Sequence, residues 1–578
     1  MSSPEPTGIV ELRVLDGPNI YFTRPAVKLT LSVPQWLEGS EDEAASAAAR
    51  AGMSGSELES AAGRLRPGLP GTEHRRRFVS RLAAHVARSV AHAAGTNLAV
   101  RSRPGPERDQ VVVAYPWRRR GAAEALGREL ARTFADLLST RVPFDALVHG
   151  AAGRLSAVDP GSAPVVPEPA IPVIAVTGTN GKTTTVRALA HLARTAGLRV
   201  AYSSTDGVYV DDRLVEEGDY SGFGGAGKAM AQPGVQLAVL ETARGGILLR
   251  GIGTMHNDVA VVTNVSADHL GLHGINTLDQ LAEVKAAVTK ITRPRGWDVL
   301  NADDPRVLAM RRTIRGQPWL FSIDPDHPAI RTALAEGGRA TTIIDGRLTY
   351  LTSGMRPHAL LPVEDIPLTL AGVSTEHTQN AMAVASAALG IGLPEQAVVE
   401  GLAEFVLDPE TNPGRANLFE LDGRIVVADY AHNEAGLVGL VEICRGLRPP
   451  GGKIWLGFCT AGDRSNEILH AMGYTAARGA DHVAIGELLH YLRGRDRSDL
   501  VERLRAGAVD GGATEVPVFI DEMHALRWML ERSKPGDLVA VTALIQRSEI
   551  FALMQELGGE RVGPRRVREL ARQARQAR

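Results

Sequence analysis

From Val173 onward the chain alternates short apolar runs with amphipathic stretches. VIAVTG, LRVAYSST, LAVLET, DVAVVTNV and WDVLNADD each end in a polar or glycine-bearing turn. Runs of this length read as buried strands. Their alternation with helical periodicity predicts a mostly parallel central sheet with helices on both faces. Beyond Pro413 a second series, IVVADYAHN, KIWLGFCTAGDR, HVAIGE and LVAVTAL, predicts a doubly wound unit. Near the N-terminus VELRVL and VKLTLSV are strand patterns around a Gly17-Pro18-Asn19 turn. Helical periodicity over Glu73–Ala93 and Ala122–Leu138 flanks a strand at Gln110–Tyr115, which together suggest a small α+β domain. Residues 40–72, rich in Ala, Gly and Ser, read as a mobile or insertion-prone connection.

Five prolines between 156 and 172 mark a stiff extended linker. The expected division is α/β and multidomain: an N-terminal domain at 1–155, the linker at 156–172, a central domain at 173–412, a C-terminal domain at 413–557, and a basic tail at 558–578 that reads as a solvated helix or frayed end. Composition adds exclusions. The formal net charge of −2 over 578 residues gives no global pull toward nucleic acid or an anionic membrane. No apolar run is long enough to span a bilayer. The two cysteines, Cys444 and Cys459, read as reduced thiols, and the start MSSPEPTG lacks a basic-then-apolar pattern, so the expectation is a cytoplasmic protein.

The chemistry concentrates first at VIAVTGTNGKTTTV, residues 173–186. A buried strand leads into the turn Gly178, Thr179, Asn180, Gly181, and Lys182, Thr183 and Thr184 open a helix. That order aims backbone N–H groups, a helix N-terminus and an ammonium at one point, which is how a polyphosphate is held. The Thr183 hydroxyl is placed to reach a Mg²⁺ ion on the phosphates. Val176 stands where the longer P-loop pattern has its first glycine, so the loop is the shorter form from Gly178 to Thr183.

Glu241 ends the strand LAVLET, a position from which an acid enters a Mg²⁺ shell; Arg244, just after it, is either a phosphate contact or an ion-pair partner. Asp268-His269 follow the strand DVAVVTNV, so His269 reads as a metal ligand or a positioning group with Asp268 behind it, while His273 reads as structural. On a helix expected over Thr277–Ile291, Leu281, Val284, Val288 and Ile291 share one face, and Lys285 falls inside that apolar arc whereas Lys290 points away. A lysine turned inward loses its proton more easily, and a neutral amine can add CO₂ to give an anionic carbamate; the alternative is a lysine that snorkels to water.

The set Gly178–Thr183, Glu241–Gly246, Asp268-His269-Leu270, Lys285, Asn301–Asp304, Pro413-Gly414-Arg415 and Asp429–Asn433 resembles the Mur ligase superfamily. Within it the segments SSTDGVYV, VLETARGGIL, VVTNVSADHLGLHGI and LNADDP are similar to the C-terminal ligase half of the cyanophycin synthetases. LRVLDGPNIY and the helix carrying His85 resemble the first domain of those enzymes more weakly. Two departures stand out. Those enzymes carry an ATP-grasp domain between the two parts, where this chain has only the proline-rich linker, and Glu376-His377-Thr378 before Asn380 differs from the family pattern.

The resemblance implies an ADP-forming ligase that activates a carboxylate as an acyl phosphate and joins it to an amino acid amine, arginine being one example. It implies ATP with two Mg²⁺ ions: Lys182 and the loop on the phosphates, Thr183 and Glu241 on one ion, and Glu241, His269 and a carbamylated Lys285 on the other. It places Arg415 and Asp429 on ATP when the domains close, with His432 and Asn433 supporting Asp429, and Asn301 near the adenine. Asp463, Arg464, Arg493 and Arg495 are candidates for the amine or for surface ion pairs. The partners implied are an amino acid, a carboxylate-bearing peptide or polymer, and a second copy of the chain, with a docking or scaffolding role for the N-terminal domain. The rival readings are a folylpolyglutamate-type ligase and a weakly active ATP-binding scaffold that works with a separate ATP-grasp protein.

Overall fold

The computed structural model describes residues 7–53 and 66–577. Seven parallel strands form the heart of the central sheet. In spatial order they are Val200–Ser204, Leu237–Glu241, Val173–Thr177, Asn257–Val262, Thr292–Asn301, Gln317–Phe321 and Arg339–Ile344. Antiparallel strands extend it at both ends to eleven. The chain runs outward from Val173–Thr177 in both directions, so a crevice opens at that strand's C-terminal end, where ligands settle in sheets of this kind. The strands read as continuous apolar runs because both faces are covered: Val173–Thr177 is buried throughout.

The C-terminal sheet holds seven strands. Val518–Phe519, His482–Gly486, Ile454–Phe458, Leu538–Thr542 and Arg424–Asp429 are parallel, and Asn417–Leu421 and Glu560–Arg561 close it antiparallel. The N-terminal sheet has four antiparallel strands in the order Gly8–Leu15, Ala26–Ser32, Gln110–Pro116 and Arg101–Pro104. Period-two alternation gives it two buried faces. Val111, Val113 and Tyr115 pack on the N-terminal helices, while Val112 and Ala114 join Ile247, Ile252 and Ile275 of the central domain in one apolar cluster. The Gly17-Pro18-Asn19 turn sits at this contact. A Cβ on Gly17 would stand 1.9 Å from the Ile252 carbonyl oxygen, so the close approach needs glycine.

Three expectations are corrected. Within 40–72, residues Glu41–Arg50 form a helix, started by a reciprocal Ser40–Glu43 capping box and buried through Ala44, Ala47 and Ala48; residues 54–65 lie outside the described residues. The basic tail is part of the C-terminal core: Glu560–Arg561 pairs with Asn417–Leu421, and the helix Pro564–Gln576 buries Val567, Leu570, Ala571 and Ala574. Its arginines mask an apolar stripe at helical spacing. The helix expected to reach Ile291 ends at Lys285 and resumes as a 3₁₀ turn, Thr289–Ile291. The linker begins at the end of the helix Phe144–Ser156 and carries no helix or strand over 157–172, but it is pinned: Pro160 and Ser162 accept backbone hydrogen bonds from Ala122 and Arg120, and Pro167 accepts one from Met255. The two thiols are free and buried. Among the described residues, no helix is long and apolar enough to cross a membrane.

Candidate active site

The turn after Val173–Thr177 is shaped by its neighbour strand. Thr263 and Asn264 end the strand Asn257–Val262 and hold the loop: Asn180 N–H donates to Asn264 Oδ1 (2.9 Å), Thr179 N–H donates to the Asn264 carbonyl (2.9 Å), and Thr263 Oγ1 donates to the Asn180 carbonyl (2.6 Å). A Cβ at Gly178 would meet Thr263 Oγ1 at 1.8 Å. Gly181, at φ +81°, caps the helix Lys182–Thr195 in a conformation L side chains avoid. Lys182 Nζ curls back to the Thr179 carbonyl at 2.7 Å. Residues 179–184, which span the loop and the helix start, line one cavity of about 510 Å³.

Glu241 enters this cavity from its strand end. The Thr183 hydroxyl donates to its Oε2 (2.9 Å), while Oε1 is buried without a partner. Burial raises the Glu241 pKa, against the pull of Lys182 and the Thr183 hydrogen bond. An orphaned anionic oxygen beside a threonine hydroxyl and a phosphate loop is the donor set a nucleotide-bound Mg²⁺ takes, so this pair fits that ion. The second implied ion finds no such set. The described residues hold no cluster of three His, Cys, Asp or Glu side chains suited to a metal. His269 Nδ1 lies 3.2 Å from both Asp463 Oδ2 and Arg464 Nη1. Lys285 is 3% exposed, does not line the cavity, and donates to the Gly178 carbonyl at 2.6 Å. Lys285 is thus turned inward rather than snorkelling; burial, with Lys182 adding, drives its pKa well down.

The C-terminal domain supplies the other wall. Arg415 lies 4.1 Å from the Tyr430 ring centre, and Asp429 Oδ2 accepts from Ala416 N–H (2.7 Å); all three line the cavity. Burial raises Asp429, against Arg415. Asn180 of the phosphate loop and Asn433 exchange side-chain hydrogen bonds at 3.2 and 2.9 Å, and Asn433 also caps the helix Glu434–Leu447. Asp268 meets Arg464 at 2.9 Å and His432 at 3.5 Å. Burial alone would raise Asp268, but the His432 hydrogen bond and the charges of His432, His269 and Arg464 hold its carboxyl far below the usual range. The two domains are closed on each other through these side chains.

The amine candidates separate. Arg464 and Arg493 line the cavity; Asp463, paired with both at 2.7 and 2.8 Å and with His269, does not. Burial opposes that pairing, yet the Asp463 pKa is held at about 2. Arg495 braces the loop by donating to the Gly462 and Arg464 carbonyls and stays outside the cavity. Asn301 also stays outside and donates to the Thr263 carbonyl at 2.8 Å, behind the strand that holds the phosphate loop.

Sequence reasoning passed over several lining groups. Asp219 and Ser221, joined at 2.6 Å, approach from the loop after Arg213–Glu217, where only an Asx-type turn pattern marks them. Glu376, His377 and Asn380 line the cavity from the helix Thr375–Ile391, the segment that departs from the family pattern. Burial and Asp429 lift Glu376 to about 7; burial and Arg415 lower His377 to about 4.

Residues 176–388 match the Mur ligase middle domain, and residues 414–544 match the Mur ligase glutamate ligase domain. The cyanophycin synthetase of Crocosphaera subtropica is 37% identical over 372 residues, and that of Synechocystis sp. 38% over 377; each alignment takes in 64% of this chain and 42% of the relative. The chain therefore spans less than half the length of these curated relatives. The UDP-N-acetylmuramyl-tripeptide synthetase of Deinococcus radiodurans is 27% identical over 64% of this chain and 73% of the relative. Among solved structures, E. coli FolC in complex with DHPP and ADP aligns with 68% of this chain and 90% of its own at 19% identity and a TM-score of 0.49. With residues 176–388 matching the middle domain and residues 414–544 the glutamate ligase domain, the chain belongs to the Mur ligase family.

Proposed function

We propose that this chain is an ATP-dependent, ADP-forming ligase that joins a carboxylate to the amine of an amino acid. One observation carries the reading: Lys182, Glu241 and Arg415, from three distant parts of the sequence, line one cavity. Phosphoryl transfer needs charge neutralisation and in-line positioning more than it needs a nucleophilic side chain. Lys182 and the N–H groups at the start of the helix Lys182–Thr195 hold the β- and γ-phosphates. Arg415, brought by the C-terminal domain, balances charge as the γ-phosphoryl passes to the acceptor carboxylate. The amine then attacks the acyl phosphate, a tetrahedral intermediate forms, and phosphate leaves. Thr183 and Glu241 would hold a Mg²⁺ ion, which would supply charge neutralisation for the transfer.

Closure is part of this scheme, because Arg415 and Asp429 reach the nucleotide only from the second domain. Similarity to cyanophycin synthetases supports a peptide or polymer as acceptor. Burial favours the neutral amine at Lys285, the form that adds CO₂, so a carbamate there belongs to the same proposal. The test is ADP release with Mg²⁺, a panel of amino acids and short acidic peptides, followed by mass spectrometry of the product. ADP release that requires both a carboxylate and an amine, with a product heavier by the amine less water, supports the ligase. Nucleotide binding with no turnover for any pair would favour the scaffold.

A further inference from the structure

A second cavity, of about 90 Å³, lies where the N-terminal sheet meets the central domain. Arg13, Lys28 and Arg103 line it from three strands, together with Tyr21 and His273, and no carboxylate lines it. The acids that balance these cations stand outside. Glu11 pairs with both Arg13 and Lys28, the latter at 2.8 Å, and Glu283 pairs with Arg103 at 2.8 Å. Three cations share two acids, so one positive charge is in excess and it faces the cleft. Arg103 is further oriented by Tyr21, whose hydroxyl accepts from it at 3.3 Å and whose ring centre lies 5.0 Å away. Burial and the nearby Arg244 and Arg13 all lower the His273 pKa, as expected in a positive field. The floor is apolar, with Leu15, Ile20 and Val112, so an anion here would be partly shielded from water.

The cleft adjoins the reaction cavity along two segments. His269 lines the cavity and His273 lines the cleft, four residues on in one loop. The helix Arg244–Leu249 begins with Arg244 donating to the His269 carbonyl, and its Ile247 and Leu248 form the cleft wall. Four extended residues reach at most ~14 Å, and four helical residues advance about 6 Å. That span equals roughly two to four residues of an extended peptide.

We propose that the cleft is a subsite for a second carboxylate of the acyl acceptor, so that the chain prefers an acidic peptide whose two carboxylates lie two to four residues apart. One carboxylate enters the reaction cavity and the other is held by Lys28, Arg13 and Arg103. This rests on the proposed carboxylate activation for the occupant of the first position, but binding in the cleft is measured without turnover.

The experiment is calorimetric titration of the full chain, loaded with Mg²⁺ and a non-hydrolysable ATP analogue, by N-acetylaspartate, tetra-aspartate and inorganic phosphate. The expected result is that tetra-aspartate binds at least about tenfold tighter than N-acetylaspartate. Lys28→Gln should remove most of that advantage while leaving the affinities for the analogue and N-acetylaspartate unchanged. Pro104→Trp, which keeps every cation and enlarges a side chain of the lining, should do the same, so a folding defect in one variant does not decide the matter. Equal affinity for the two acids, or a length preference that survives both substitutions, overturns the assignment. So does displacement of tetra-aspartate by phosphate at equal concentration, which would mark a phosphate site. Amide formation on single carboxylates without a length preference would remove the cleft and leave the ligase; tight tetra-aspartate binding without turnover would do the reverse.

Discussion

Glu241→Gln separates stability from nucleotide chemistry. The wild-type side chain is 2% exposed, one oxygen held by Thr183 and the other without a partner. An unsatisfied buried anionic oxygen costs about 1–3 kcal/mol, partly offset by Lys182 and Arg415. The amide keeps the shape and the Thr183 contact but removes the ion. Without metal, at pH 8, we expect the variant to be more stable by about 1 kcal/mol. The sign follows from linkage: a raised folded pKa gives stability that is full below the unfolded value of about 4.3 and is lost as pH rises through the folded value. The gap between variant and wild type should therefore close at pH 4. With Mg²⁺ the order reverses, because the amide supplies no anionic ligand: MgATP affinity should fall about 100-fold, or roughly 2.7 kcal/mol. Thermal unfolding in EDTA at both pH values and MgATP titration make the test. A variant less stable than wild type in EDTA at pH 8, or one that binds MgATP equally well, refutes the reasoning.

Lys182→Ala and Lys285→Ala should each abolish product formation in the mass-spectrometric assay; restoration of Lys285→Ala by short added carboxylates supports the carbamate, and full unaided activity removes it. Glu376→Gln should raise the thermal midpoint above pH 7 and not below pH 5, since burial lifts the wild-type pKa to about 7 and its stability falls as pH rises through that value. The side chain is partly exposed, so the gain is about 1 kcal/mol after screening. Leu570→Ala, at a fully buried position on the last helix, should cost about 2–4 kcal/mol in urea unfolding, whereas a solvated tail would show no change.

Local chemistry made much of this protein legible in its sequence. The phosphate loop follows from strand, glycine turn, Lys-Thr and helix, each a constraint on its own few residues. The parallel sheet follows from apolar runs closed by polar turns. Helical periodicity puts Lys285 within the apolar arc of its helix but leaves a snorkelling head group open, and Asp429 and Asn433 are marked only by the resemblance to the family's motif. Periodicity failed where composition masked it. The arginines of Pro564–Gln576 hid a stripe of Val567, Leu570, Ala571 and Ala574, and the alanines of Glu41–Arg50 looked like a loose connection.

Which segments are strands and helices, and where the glycine turn before Lys182 falls, can be read from the chain alone, because backbone preference and burial period act over a few residues. Which of the marked side chains meet is set by how the three sheets pack. That packing puts Asn301 behind Thr263 and Arg495 behind the Gly462 loop, gathers Glu376, Asp219 and Arg415 around Lys182, and joins Val112 and Ala114 to the central domain's core. Those meetings depend on how three separately folded sheets dock, and docking is set by the shape and charge of whole faces that no short stretch of chain contains.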